Sequence, residues 1–307
     1  MSESELLEDL RPRAFAIAYR MLGSVSEAED VVQEALLRVH SAIERGEEIS
    51  SPRAYAATVT TRLAIDELRS ARARRESYVG EWLPEPITER PEDDPARQAE
   101  LADSLSLAFL VVLESLSPEQ RAAFLLHDVF DYHYDRVAEI VGTSEDNARQ
   151  LASRARRHVQ EGRPRFDPSA EQREKLAASF FAAAENGDFE ALEAMLADDV
   201  ALHGDGGGVT PAIRHPVFGR AKVGQLLGNW WRLGFEKIGV EMRRVLINGQ
   251  PGAEFFDSDG NLVSVLSLDI ADGRVQAIRS IVNPKKLGHL GPVGDVGELL
   301  RRIRESR

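Results

Sequence analysis

The spacing of apolar residues changes character once along the chain, and that change limits what the chain can fold into. Through roughly the first two thirds, apolar residues recur at the three- and four-residue steps of helices with one buried face. Beyond residue 199 the text reads as short strands: "VALHGDG", "VEMRRVLING", "GAEFFD", "LVSVLSLDI" and "VQAIRSIVN". Asn248-Gly249, Asp259-Gly260 and Asp272-Gly273 separate several of them, and such pairs favour tight hairpin turns. Helices followed by antiparallel strands imply an α+β domain behind a helical one. At 307 residues the chain is long enough for two or three domains, each with its own core.

The helical part has internal punctuation. Residues 5–75 read as helices; Ala28, Val31, Val32, Ala35, Leu36, Val39 and Ile43 mark one buried face. Tyr55, Val59, Leu63, Ile65 and Leu68 mark another, started by Ser50-Ser51-Pro52, where proline suits a first turn. Residues 80–103, "GEWLPEPITERPEDDPARQAELAD", hold four prolines and many acids and read as an extended linker rather than a packed element. Helical spacing resumes over 105–159 and stops at "GRPRFDP". "EKLAASFFAAAENGDFEALEAMLADDV" then reads as two short helices broken at Asn186-Gly187.

The formal net charge is −13, which argues against a chain that grips nucleic acid by bulk charge. The total conceals a pattern. Residues 62–75 hold five arginines against Asp66 and Glu67, and residues 149–165 hold six against Glu161 alone. Between these basic clusters, residues 76–103 hold nine acids against Arg90 and Arg97. There are no cysteines, which excludes disulfides and thiolate metal sites and fits a reducing cytoplasm. The longest apolar run, "LSLAFLVVL", is too short for a membrane span, and the acidic start shows no signal peptide. No cofactor, metal or membrane partner is expected.

Residues 142–159, "GTSEDNARQLASRARRHV", carry the sharpest chemical signal. At about 100° per residue, Ala148, Leu151, Ala152, Ala155 and Val159 fall on one face. Asp146, Gln150, Ser153 and Arg157 lie opposite, flanked by Asn147, Arg149 and Arg154. Arginine suits guanine, asparagine and glutamine suit adenine, and serine suits phosphate oxygens. The preceding "YDRVAEIVGTS" supplies a short helix and a glycine turn, so the pair reads as a helix-turn-helix. The alternative is a solvated arginine face on an ordinary helical hairpin. Thr143 and Asp146 have the spacing of a capping box.

Two segments resemble a known family. "LGSVSEAEDVVQEALLRV", residues 22–39, is similar to the region 2 helix of extracytoplasmic-function (ECF) RNA polymerase sigma factors, and residues 116–159 resemble their region 4. The remainder resembles the subgroup that carries a fused SnoaL-like extension, through "WLPEP" at 82–86, "DGGG" at 205–208 and "NPKKL" at 283–287. Lys285 stands where that subgroup usually has an acid.

The resemblance implies a multidomain chain: two all-α sigma domains, a region 2 helical bundle and a region 4 helix-turn-helix, plus an α+β SnoaL-like cone domain. The expected divisions are 1–79, 80–104, 105–166 and 167–307. It implies a promoter-specificity subunit that binds the clamp helices and flap of core RNA polymerase and recognises the −10 and −35 elements of promoter DNA. Asn147, Arg149, Gln150, Ser153, Arg154 and Arg157 would read −35. Arg62, Asp66, Arg69 and Arg72 match the family's −10 stretch, with a solvated arginine face as the alternative. The wheel through the Ala28 helix turns Asp30, Gln33, Glu34 and Leu37 outward, and an exposed leucine among acids and amides suits the polymerase contact.

The extension resembles cones that hold a pocket, so an enzyme is weighed against a sensor of a small ligand and a purely regulatory module. Catalytic candidates would be His203, Asp205, Arg214, His215, Trp230 and Trp231, with His203 and Asp205 as an acid-base pair if one cavity held both. Three consecutive glycines favour a docking loop over a catalytic wall, and the expectation is no enzyme and no catalytic residue. Trp82, Leu83 and Pro84 of the linker, with Asp205, Gly206, Gly207, Asn283 and Pro284, are the expected regulatory contacts, Trp82 and Leu83 anchoring the linker on an apolar surface. Runner-up functions are a stand-alone helix-turn-helix regulator and a SnoaL- or isomerase-like enzyme joined to a DNA-binding module.

Overall fold

Serines one residue ahead of each start fix the first three helices. Ser2 and Glu5 form a reciprocal capping box on α1 (Glu3–Leu22), and Ser24 caps α2 (Val25–Glu44). Ser51 caps α3 (Pro52–Glu76), whose proline sits in the first turn, where its missing N–H is not needed. The computed structural model describes residues 2–89, 106–162 and 169–305. The chain divides into two compact units, Met1–Ser77 with Phe109–Arg163, and Tyr78–Ala108 with Pro164–Arg307.

In the first unit, Ala28, Val31, Val32, Ala35 and Val39 are buried on α2 as their spacing requires. On α3, Ile65 and Leu68 are buried while Tyr55, Val59 and Leu63 are half-buried. The second helical run is not continuous. It divides into α4 (Leu107–Glu114), α5 (Pro118–Phe124), a π-helical turn over Leu125–Val129, α6 (Tyr134–Val141) and α7 (Glu145–Gly162). Asp131 at φ 57° and Gly142 at φ 77° make the two reversals. The cap of α7 is Ser144, whose hydroxyl accepts the Asn147 N–H at 3.2 Å, one residue beyond the expected Thr143.

One buried node joins α3 to α4 and α5. Arg121 is fully buried, donates to the Arg20 carbonyl at 3.0 Å and pairs with Glu114 at 2.6 Å. Glu114 also pairs with Arg75, which donates to the Leu22 carbonyl at 2.6 Å. Burial pushes the Glu114 carboxyl up, but Arg121 and Arg75 outweigh it and leave its pKa below the ordinary value.

The second unit is a seven-stranded sheet in the order β1-β4-β5-β6-β7-β2-β3, with helices packed over an apolar core that includes Phe180, Leu202, Trp231 and Ile278. The strands are β1 (Thr88–Glu89), β2 (Leu196–Asp205), β3 (Val217–Phe218), β4 (Glu241–Ile247), β5 (Gln250–Phe256), β6 (Leu262–Ala271) and β7 (Arg274–Ile281). The helices are α8 (Ala170–Glu185), α9 (Phe189–Ala194), α10 (Arg220–Trp231), α11 (Pro284–Leu287) and α12 (Val296–Glu305). This is the α+β cone implied by the extension. Asn248-Gly249 and Asp272-Gly273 have positive φ at both residues, as hairpin turns between twisted strands require.

Two expectations are corrected. "LADD" at 196–199 belongs to β2, not to the preceding helix: Leu196 pairs with Val275 on β7, and this pairing outweighs the local helical pattern. The linker is also a packed element over its first part. Leu83 is fully buried, Pro84 to Pro86 are buried, and Thr88 and Glu89 add a strand to β4 opposite Ile247 and Leu246. Its own residues lack an apolar pattern because the burial comes from the sheet it joins. Linker residues 90–105 and the "RPRFDP" stop at 163–168 lie outside the described residues.

Candidate functional site

The outward face of α7 is built by the opposite face. Ala148, Ala152 and Ala155 are fully buried and Val159 nearly so; Ala148 and Ala152 share a core with Val137, Ala138 and Ile140 of α6 and with Ala123 and Leu126. The helix is thereby held at one rotation. Asn147, Arg149, Gln150, Ser153, Arg154 and Arg157 are all exposed, where the wheel puts them. Asn147 donates to the Thr143 hydroxyl at 2.7 Å. Arg149 pairs with Glu145 and lies 4.6 Å from the Tyr134 ring centroid. Arg154 and Arg157 form no ion pair with a described residue. Arg156 turns the other way, to Asp128 at 2.6 Å, and serves packing.

On α2, Asp30, Gln33, Glu34 and Leu37 are exposed together. Leu37 is 52% exposed, among the few large apolar side chains left open to solvent. Glu34 pairs with Arg38 at 2.8 Å.

The basic face of α3 is occupied. Arg62 donates to the Ile140 carbonyl at 3.1 Å and the Glu139 carbonyl at 2.8 Å, at the end of α6. Arg69 pairs with Asp66 at 3.0 Å and with Glu119 of α5 at 2.7 Å. From the α6 side, Arg136 returns to the Ala54 carbonyl and the Thr58 hydroxyl. The side chain of Arg72 lies outside what the structure describes. Arg62, Asp66 and Arg69 are thus exposed to solvent while Arg62 and Arg69 are also engaged with neighbouring helices.

In the second unit the linker and the glycine loop meet at one carboxylate. Asp205 is fully buried at the end of β2. Its Oδ1 accepts from the Tyr78 hydroxyl at 2.5 Å and the Gly207 N–H at 3.0 Å. Its Oδ2 accepts from the Leu83 N–H at 2.8 Å and the Lys286 ammonium at 2.7 Å. Lys286 also donates to the Leu83 carbonyl and lies 4.1 Å from the Trp82 ring centroid. Asn283 caps α11 ahead of Pro284 and donates to the Tyr78 oxygen at 2.8 Å. Burial, and then the Asp205 carboxylate, push the Tyr78 phenol well above its ordinary pKa, so it stays a donor.

The glycines are needed for approach. At Gly207 (φ 61°) a Cβ would collide with Asn283, and at Gly208 (φ 73°) it would come within 2.8 Å of Val79 of the linker. Further along, the Asn248 N–H donates to the Ile87 carbonyl at 2.8 Å and the Ile87 N–H donates to the Asn248 side-chain oxygen at 2.9 Å. Trp82, Leu83, Asp205, Gly207 and Asn283 are thus brought together. Tyr78 and Lys286 were not singled out, although "NPKKL" contains the lysine.

Of the catalytic candidates, Trp230 and Trp231 line one cavity, and His203, Asp205, Arg214 and His215 are not among its described lining residues. His203 pairs with Glu81 of the linker at 2.7 Å, Asp205 is committed to the clamp, and Arg214 and His215 are exposed. Trp231 is buried edge-on against Phe180, while Trp230 is 37% exposed.

Residues 6–74 match the family model for Sigma-70 region 2, and residues 106–159 match Sigma-70, region 4. The chain is 40% identical over 289 residues to the ECF RNA polymerase sigma factor SigJ of Mycobacterium tuberculosis, covering 91% of each. It is 32% identical over 276 residues to the probable ECF RNA polymerase sigma factor SigI of the same species, covering 89% of this chain and 91% of that one. The crystal structure of M. tuberculosis SigJ superimposes with a TM-score of 0.74 at 34% identity, over 94% of this chain and 98% of that chain.

Proposed function

The chain belongs to the extracytoplasmic-function (ECF) RNA polymerase sigma factors, and on that premise we propose which of its surfaces do which part of the work. Sigma factors bind core RNA polymerase and direct transcription from chosen promoters. In this reading Asp30, Gln33, Glu34 and Leu37 meet the polymerase clamp helices, and the region 4 unit meets the flap. Asn147, Arg149, Gln150, Ser153, Arg154 and Arg157 read −35, and Arg62, Asp66, Arg69 and Arg72 hold the −10 region. The working divisions are 1–79, 80–104, 105–166 and 167–307. By this proposal the chain acts in the cytoplasm beside the polymerase and without enzymatic activity of its own. No described helix is long and apolar enough to cross a membrane.

The observation that carries this reading is the α7 face: six polar or basic side chains presented outward over a closed alanine stripe. An acidic chain gains little from counterion release, so such a face is suited to a partner that supplies the rest of the DNA grip. Co-purification of core RNA polymerase with the full chain tests it. Tight duplex binding without polymerase would instead favour a stand-alone regulator.

The α+β unit regulates the sigma core in cis through the linker it holds, by this proposal. Asp205 is the lever, because it joins Tyr78 and Leu83 of the linker to Lys286 and the glycine loop. Asp205→Ala leaves the Lys286 ammonium buried without its partner and should cost about 3–5 kcal/mol in that unit, read by thermal unfolding. Promoter output with polymerase should differ between the variant and the full chain. Equal output would overturn the regulatory part.

A further inference from the structure

The α+β unit contains a cavity of about 460 Å³. Ile213, Leu226, Trp231, Phe235 and Leu266 contribute its apolar wall, together with Val296 of α12. The cavity is partly open to solvent, and its apolar lining lacks the contacts that a guest would supply. Water is a poor filler for it. The polar side chains among the described lining residues are the Ser264 and Ser280 hydroxyls and the Trp230 and Trp231 indoles, and none of those residues is charged.

The two serines lie at one end. Ser280 on β7 is opposite Leu266 on β6, two residues from Ser264, so the hydroxyls sit on adjoining strands toward the end of β7. Directly beyond that end is the clamp. Gly204 lines the cavity, while its strand neighbours His203 and Asp205 point to the other face of β2, where the linker lies. Val282 also lines the cavity; its N–H donates to the Asp205 carbonyl at 2.9 Å, and the next residue is Asn283 of the clamp. The cavity wall and the linker clamp are opposite faces of the same two backbone segments.

We propose that this cavity binds an uncharged, mainly apolar small molecule with a hydroxyl or carbonyl at one end, and that its occupancy is felt at the Asp205 clamp. A charged guest would be buried without a counter-charge from the described lining. The volume is that of ordinary small-molecule sites. The polar end of the guest meets Ser264 and Ser280, next to Gly204 and Val282, where a small shift of backbone reaches the Leu83 and Tyr78 contacts. Only the consequence for transcription rests on the regulatory reading above.

The test uses the full chain and two fluorescent probes, neutral N-phenyl-1-naphthylamine and the anionic 8-anilinonaphthalene-1-sulfonate. The neutral probe should bind saturably, one per chain, and about tenfold tighter than the sulfonate. Ser264→Phe, which fills the cavity, should weaken it by about tenfold with an unchanged or higher thermal midpoint; Ser280→Leu serves if the first variant fails to fold. Hydrogen exchange at the Leu83 amide should change about threefold with the neutral probe in the parent chain and not in the filled variant.

Absence of saturable binding, or binding indifferent to both fillings, overturns the site. Equal affinity for the sulfonate overturns the ligand class. Binding with unchanged Leu83 exchange overturns the coupling. None of these readouts involves polymerase or DNA, so they fail or succeed separately from the assignment of the sigma surfaces.

Discussion

The helices α3 and α7 carry the two basic clusters of an acidic chain, and they are used in opposite ways. On α7, Arg154 and Arg157 point outward with no described carboxylate engaging them, over an inner face of buried alanines. On α3, Arg62 is spent on two carbonyls at the end of α6 and Arg69 on Glu119. For Arg62 and Arg69 to hold DNA phosphates those contacts must open, whereas Arg154 and Arg157 of α7 have no described ion pair to give up. A run of arginines therefore specifies neither a free surface nor an occupied one. What lies opposite decides.

The largest effect should come from the node behind α3. Glu114→Gln leaves buried Arg121 without its carboxylate and takes one from half-buried Arg75, and should destabilise the first unit by about 3–5 kcal/mol, measured by urea unfolding. Its pH dependence has a definite sign. The folded pKa of Glu114 is lowered, so its contribution is present above the ordinary carboxyl value of about 4.3 and is lost as pH falls through the folded value. The parent chain should lose more stability than Glu114→Gln on acidification below that value. Parallel curves would remove Glu114 from the account.

Arg154→Ala on the presented face should do the reverse. Promoter affinity of the polymerase complex should fall by about 1–3 kcal/mol, with folding stability moved by no more than about 0.5 kcal/mol. Titrations on promoter DNA at several salt concentrations, beside thermal unfolding, separate the two. Arg62→Ala, on the occupied face, should cost about 0.5–1.5 kcal/mol of stability, the net worth of its hydrogen bonds, even with no DNA present. If Arg154 moved stability and Arg62 did not, the contrast between the helices would collapse.

Much of this arrangement is legible before folding is considered. The Ala148 to Val159 stripe sets the rotation of α7, and with it the six outward side chains. The Ala28 stripe does the same for Asp30, Gln33, Glu34 and Leu37 on α2. The Asn-Gly and Asp-Gly pairs locate hairpins, and the glycines after Asp205 announce a close approach. Each of these is a local property: a period, a cap, or a backbone angle that few residues accept.

Other features had no local sign. Nothing in "WLPEPITE" alternates, because β1 takes its hydrogen bonds and its burial from a sheet whose first strand begins over a hundred residues later. Lys286 reads as an exposed lysine among polar neighbours until β2 and the linker enclose it. The partners of Arg62, Arg75 and Arg121 are likewise distant in sequence.

By itself, then, the sequence determined which elements form, which face of each must be covered, and which family the chain resembles. Only the tertiary structure decided what covers each face and which charges are consumed in doing so. The physical reason is that hydrophobic periodicity and capping act within a few residues, while ion pairs, strand addition and cavities depend on groups that meet only once the chain has closed.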